Sequence, residues 1–214
     1  IYLGSGGIIE RARPGSLLID MTTSSPSLAI RIHRAAAERG LAALDAPVSG
    51  GDIGAREARL SIMVGGNPDA FDRAMPVFAA MGTNIVLQGP AGAGQHTKMC
   101  NQIVIAGTML GVAEGVAYAR AAGLDASKVL GSIGTGAAGG FLLNMLGPKM
   151  VDADFAPGFM IEHFVKDMSI ALSEAEAAGL DLSGLETALA QYRRLVEAGE
   201  ARAGTQALIK AYAG

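Results

Sequence analysis

The chain has 214 residues, enough to bury a sizeable core in one or two domains. Half of them are hydrophobic and only 17% are charged, which excludes a disordered chain; a formal charge of −3 with no Lys/Arg cluster gives no electrostatic footprint for nucleic acid. A single cysteine excludes an internal disulfide and makes the reducing cytoplasm the expected compartment.

Ile1-Tyr2-Leu3-Gly4 reads as the end of a strand, and there is no initiating Met, so an upstream segment is expected. No basic region leads into an apolar one there, so a signal peptide is not expected. The short run 17–21, apolar apart from Asp20, predicts a buried parallel strand. Ser25 is placed to N-cap a helix with Pro26 at its first position. That helix carries Leu28, Ile32 and Ala35 at helical spacing and stops at Gly40. Strands follow at 41–46 and 60–64. Asn67-Pro68 opens a second helix with Phe71, Met75 and Phe78 on one stripe, ended by Gly82, and 84–87 is the last strand. Strands alternating with helices predict βαβ units and a parallel sheet.

After Gly89 the pattern becomes helical throughout. A long helix is predicted over 92–122, stopped by Gly123, with shorter ones from Asp125 and over 160–178. Ser183-Gly184-Leu185-Glu186 has the spacing of a capping box, opening a helix through Ala198, and a last helix is predicted over 205–212. The expected fold is therefore an α/β Rossmann-type parallel sheet over residues 1–91, followed by an all-α domain over 92–214. No membrane span is expected. The uncharged window 99–113 is short of the ~20 residues a span needs and contains Asn101 and Gln102. The window 129–148 is broken by Gly131, Gly134, Gly136, Gly139 and Gly140.

In an open parallel sheet, ligands bind beyond the C-terminal ends of the strands, which here points to the loops 22–25, 47–51 and 89–94. Ser49 with Gly50 and Gly51 offers a hydroxyl and unhindered backbone N–H groups, suited to a carboxylate, though a plain glycine turn fits the spacing too. Lys98, Asn101 and Gln102 share one face of the long helix. An ammonium beside carboxamides can hold and protonate an oxygen. Most helical lysines are solvated, but the apolar run after Lys98 makes a lone charge costly unless it faces a cleft. His33, His96 and His163 are scattered, so no metal site is expected. Lys166 has a bland structural account, with Glu162 one turn before it.

Taken together, Asp45-Ala46-Pro47-Val48-Ser49-Gly50-Gly51, Gly92-Ala93-Gly94-Gln95 with Lys98, Asn101 and Gln102, Phe155-Ala156-Pro157-Gly158-Phe159, and Lys166-Asp167 resemble the β-hydroxyacid dehydrogenases, the family of 3-hydroxyisobutyrate dehydrogenase and tartronate semialdehyde reductase. Asp20-Met21-Thr22-Thr23 with Pro26 fits as well. The resemblance covers essentially the whole chain, with the motifs in order.

It implies that Lys98 is the catalytic lysine, that Ser49, Gly50, Gly51, Asn101 and Phe159 hold the substrate, and that Thr23, Lys166 and Asp167 contact NAD or NADP. It also implies an N-terminal Rossmann domain and a helical domain forming the subunit interface of a homodimer or homotetramer. The family's glycine-rich dinucleotide fingerprint is absent here and would be expected upstream of Ile1. Ala58 stands where the pattern has glycine, Arg59 where it has a small hydroxyl residue, and Gly140-Phe141 where it has a small residue and Trp. The implied reaction is reversible hydride transfer between NAD(P) and a small 3-hydroxy acid or its semialdehyde. It requires Lys98 to titrate near ~7–8, as burial can arrange. The rival expectation is a non-catalytic oligomerisation or cofactor-sensing module on the same scaffold, which has no need of the lysine.

Overall fold

Short apolar strands buried on both faces build a sheet in the first hundred residues, with helices on either side. The structure, a computed structural model, describes residues 1–212 and divides into two units, Ile1–Cys100 and Asn101–Gly214. The first contains α1 (Ile8–Arg11), β1 (Leu17–Asp20), α2 (Pro26–Ala37), β2 (Ala42–Asp45), β3 (Val48–Ser49), α3 (Gly51–Arg56), β4 (Leu60–Gly65), α4 (Pro68–Ala79) and β5 (Gly82–Gly89). Leu44 and Ala46 pack with Ile62, Val64 and Phe78 on the α4 face, whereas Leu18 and Ala43 pack with Ile32 and Ala36 on the α2 face. Neighbours along a strand thus serve opposite layers, as a pleated backbone requires.

The sheet is mixed, not wholly parallel. β1–β2 and β4–β5 pair parallel, but β2 and β3 both pair antiparallel with β4. The pairs Asp45↔Gly65, Val48↔Ile62 and Ser49↔Ser61 keep one register, so β2 and β3 act as a single antiparallel partner of β4 interrupted at Ala46 and Pro47. The reason is the connection: only residues 50–59, with the short α3 among them, separate β3 from β4, too little for a parallel crossover. As a result, the C-terminal ends of β2 and β4 meet at Asp45 and Gly65.

Both predicted caps in this unit are present. Ser25 Oγ accepts from Leu28 N at 3.2 Å, and Asn67 Oδ1 from Asp69 N at 2.8 Å. Two expectations fail. Residues 1–4 form no strand but turn back on themselves, with Gly7 N donating to Gly4 O and Ile8 N to Ile1 O. Gly82 does not end α4; it opens β5, where a Cβ would come 2.4 Å from Leu60 O. The short elements α1, β3 and α3 carry too few residues for a periodic signal.

Ala58 follows α3 with φ of 53°, in the left-handed region that glycine occupies without strain. This gives a physical reason for glycine in the pattern. Ala58→Gly is expected to raise stability by about 1 kcal/mol, read as a higher urea midpoint with unchanged slope.

α5 (Ala93–Ala121) begins in the first unit and continues into the second. By length and composition alone this 29-residue helix could cross a membrane. Its buried Gln95, Lys98 and Gln102 are instead held by protein hydrogen bonds, the habit of a core helix.

The second unit continues with α6 (Ala126–Ile133), α7 (Phe141–Val151), α8 (Ile161–Ala177), α9 (Ser183–Glu197) and a 3-10 helix (Thr205–Tyr212). Asp125 caps α6 through the N–H groups of Ser127 and Lys128. The core joins Phe164 of α8 to Tyr192 of α9, edge to face at 5.1 Å, and Tyr192 Oη donates to Thr205 O at 2.9 Å. Burial pushes the Tyr192 hydroxyl far up, so it stays a donor. The capping box is not formed: Leu182 is the N-cap and Ser183 already lies inside α9, its carbonyl accepting from Thr187 Oγ1. The last predicted helix is present over the same residues, as a 3-10 helix.

Candidate active site

Asp45, at the C-terminal end of β2, is 4% exposed and caps the start of α5. Its Oδ1 accepts from Gly92 N at 2.8 Å and its Oδ2 from Gln95 N at 2.9 Å. A carboxylate at a helix N-terminus satisfies orphan N–H groups and opposes the positive end of the dipole. Gln95, fully buried, donates through Nε2 to Thr22 O at 2.7 Å and accepts at Oε1 from Ser24 N at 3.1 Å. Asp20 folds the same loop, its Oδ1 taking both Thr22 N and Thr22 Oγ1. The first turns of α5 therefore clamp the loop after β1 to the end of β2. Neither Asp45 nor Gln95 was assigned a role from sequence, although both lie within quoted motifs.

One turn further along α5, Lys98 is 8% exposed, and its Nζ donates to Val48 O at 2.8 Å. The amine is thus held at the entry to Ser49-Gly50-Gly51. Gly50 (φ 133°) and Gly51 (φ 63°) both take positive φ, and a Cβ on Gly51 would meet only open space. The exposed backbone of this turn can approach a ligand closely. Lys98, Ser49, Gly50, Gly51 and Thr23 all belong to the first unit.

Asn101, Phe159, Lys166 and Asp167 belong to the second. Asp167, on α8, is 2% exposed; its Oδ2 accepts from Gln102 Nε2 at 2.8 Å. Gln102 Oε1 in turn accepts from Asn101 Nδ2 at 2.6 Å. Lys166 Nζ lies 2.8 Å from Asp167 Oδ1, although that oxygen has no aligned hydrogen bond; the contact is an ion pair held by charge rather than by direction. Phe159 is 36% exposed, its ring 6.4 Å from His163 and 5.8 Å from Phe164.

Each unit offers a buried polar atom to a polar ligand such as a dinucleotide, a hydroxyl in the first and a carboxylate oxygen in the second. Beside Thr23, the buried Ser24 Oγ has no protein partner, and Asp167 Oδ1 retains hydrogen-bonding capacity. Both are polar atoms with capacity for a polar ligand. Among the described residues no group of three or more His, Cys, Asp or Glu could hold a metal ion.

Residues 92–212 match the family model described as NAD-binding of NADP-dependent 3-hydroxyisobutyrate dehydrogenase, and residues 1–89 that of the NAD binding domain of 6-phosphogluconate dehydrogenase. An uncharacterized oxidoreductase of Bacillus subtilis, YkwC, is 57% identical over 98% of this chain and 73% of its own length. A probable mitochondrial 3-hydroxyisobutyrate dehydrogenase-like protein of Arabidopsis thaliana is 47% identical over 96% of this chain and 61% of its own. Among solved structures, the Mycobacterium tuberculosis 3-hydroxyisobutyrate dehydrogenase with L-serine matches at TM-score 0.88 and 32% identity, over 97% of this chain and 73% of that one.

Proposed function

Since the chain belongs to the β-hydroxyacid dehydrogenases, whose cofactor is NAD or NADP, we propose that it oxidises a small 3-hydroxy acid reversibly to its semialdehyde, a reaction of the 3-hydroxyisobutyrate or tartronate semialdehyde type. The observation that carries this reading is the buried Lys98 amine, 2.8 Å from Val48 O at the entry to the Ser49-Gly50-Gly51 turn. The nicotinamide, when bound, supplies or accepts the hydride. Lys98 protonates the carbonyl oxygen in reduction and takes the hydroxyl proton in oxidation. Ser49, Gly50 and Gly51 grip the substrate carboxylate, Asn101 and Phe159 complete the hold on the substrate, and Thr23, Lys166 and Asp167 contact the dinucleotide.

In this proposal residues 1–91 act as the C-terminal part of the dinucleotide domain. Residues 92–214 act as the helical substrate domain through which a cytoplasmic homodimer or homotetramer assembles. The L-serine in the mycobacterial relative's structure, itself a 3-hydroxy acid, supports the substrate class. The test is a panel of 3-hydroxy acids, L-serine included, assayed on the full-length protein with NAD and with NADP by absorbance of the reduced nicotinamide. Turnover of at least one acid is expected; no turnover with either dinucleotide refutes the reading.

A further inference from the structure

The buried carboxylate of Asp167 touches two groups that differ in kind, the Lys166 ammonium at Oδ1 and the Gln102 amide at Oδ2. An ionised carboxylate only accepts hydrogen bonds. Gln102, 1% exposed and with little room to do otherwise, must therefore turn its NH2 group to Asp167. That leaves its carbonyl oxygen towards Asn101, and an oxygen can only accept. Asn101 must in turn offer its NH2 group, which it does at 2.6 Å. The orientation of each amide follows from the one before it, and the last consequence is that Asn101 Oδ1 points away from the chain of bonds.

We propose that Asp167 is a positioning residue that sets the hydrogen-bonding polarity of Asn101, so that Asn101 presents an acceptor to the substrate. This rests on the reading of Asn101 as a substrate contact. An outward acceptor engages a hydroxyl, which can donate, and gains nothing from a carbonyl or a carboxylate, which cannot. The relay thus favours the hydroxy acid over its oxo counterpart at this contact and leaves the carboxylate to other donors. Polar groups aimed in a fixed direction discriminate between ligands far better than apolar walls do.

Asp167→Asn tests the relay because it should reverse it. The Lys166 ammonium draws the new amide oxygen towards itself, so the NH2 group faces Gln102. Gln102 then turns its oxygen inward and its NH2 group towards Asn101, and Asn101 presents a donor outward. The readout is the ratio of KM for the hydroxy acid to KM for the oxo acid, each at saturating dinucleotide in the full-length enzyme. The ratio is expected to rise roughly 3–10-fold in Asp167→Asn, as one hydrogen bond changes partner preference. Gln102→Met, close in shape, frees the Asn101 amide and should move the ratio the same way by less; it supplies the result if Asp167→Asn does not fold. In the Gln102→Met background Asp167→Asn should no longer change the ratio, since its effect passes through Gln102. A purely structural role would worsen both KM values together. An unshifted ratio in the single variants, or an Asp167→Asn shift that persists without Gln102, overturns the relay. Absence of turnover in the unaltered enzyme would instead overturn the dehydrogenase reading.

Discussion

Lys98→Ala is expected to lower kcat by on the order of 10²–10⁴ while dinucleotide binding persists. The argument starts from the position of the amine. Lys98 as a residue is 8% exposed, and its Nζ donates to Val48 O. Holding a charge at such a place costs free energy that a surface lysine does not incur, and structural packing alone is better served by methionine. Lys98→Met therefore makes the more exacting comparison, since it fills the same space without a proton. It should fold like the unaltered enzyme and be as inactive as the alanine variant. Lys98→Arg keeps the charge but cannot release its proton, so it is expected to fail as well. Dinucleotide fluorescence titration separates lost chemistry from lost binding. Near-native turnover by Lys98→Met would remove Lys98 from the reaction.

The parts of the fold that were legible in the sequence are those decided within a few residues. Ser25, Asn67 and Asp125 cap their helices because each side chain reaches an N–H two or three positions on. Ser183 shows the limit of that logic: the same local signal was present, but the helix began at Ser183 itself, and no side-chain cap formed. Strand direction was illegible for a different reason. An apolar run at 60–64 reads the same whichever way its neighbour points, and the two-residue β3 that pairs antiparallel with it is too short to show alternation.

The candidate site divides in the same way. Lys98 and the Ser49-Gly50-Gly51 turn were found through motifs contiguous in sequence. The hydrogen bonds made by Asp45 and Asp167 were not. Asp45 reaches Gly92 across 47 positions and Asp167 reaches Gln102 across 65, and no local pattern encodes a partner that distant. Ser24, whose hydroxyl is buried without a protein partner, had no signal beyond its neighbours Thr22 and Thr23.

The second large effect is expected at Gly94, where the structure leaves no space for a methyl group. A Cβ there would lie 2.4 Å from Met63 O, 2.6 Å from Asp45 O and 2.8 Å from Asp45 Oδ2. Two of these atoms are backbone carbonyls of β2 and β4, fixed by the sheet, so relief has to come from the helix. Moving the first turn of α5 away from the strands would pull Gly92 N and Gln95 N off the Asp45 carboxylate. Overpacking of this kind costs about 1–3 kcal/mol, and a buried acceptor or donor left without its partner about as much again. Gly94→Ala is therefore expected to lower Tm by roughly 10 °C, taking about 2–4 °C per kcal/mol for a chain of this size. Activity should fall further than stability, because Lys98 sits one turn along the displaced segment. Gly131→Ala is the matched comparison: Gly131 is exposed on α6 with nothing within 4 Å of a Cβ, so the same substitution there should stabilise by about 0.5–1 kcal/mol. Opposite signs at the two positions would locate the constraint in the close approach of α5 to the sheet; a Gly94→Ala protein that melts with the unaltered one would show that the approach is looser than these distances require.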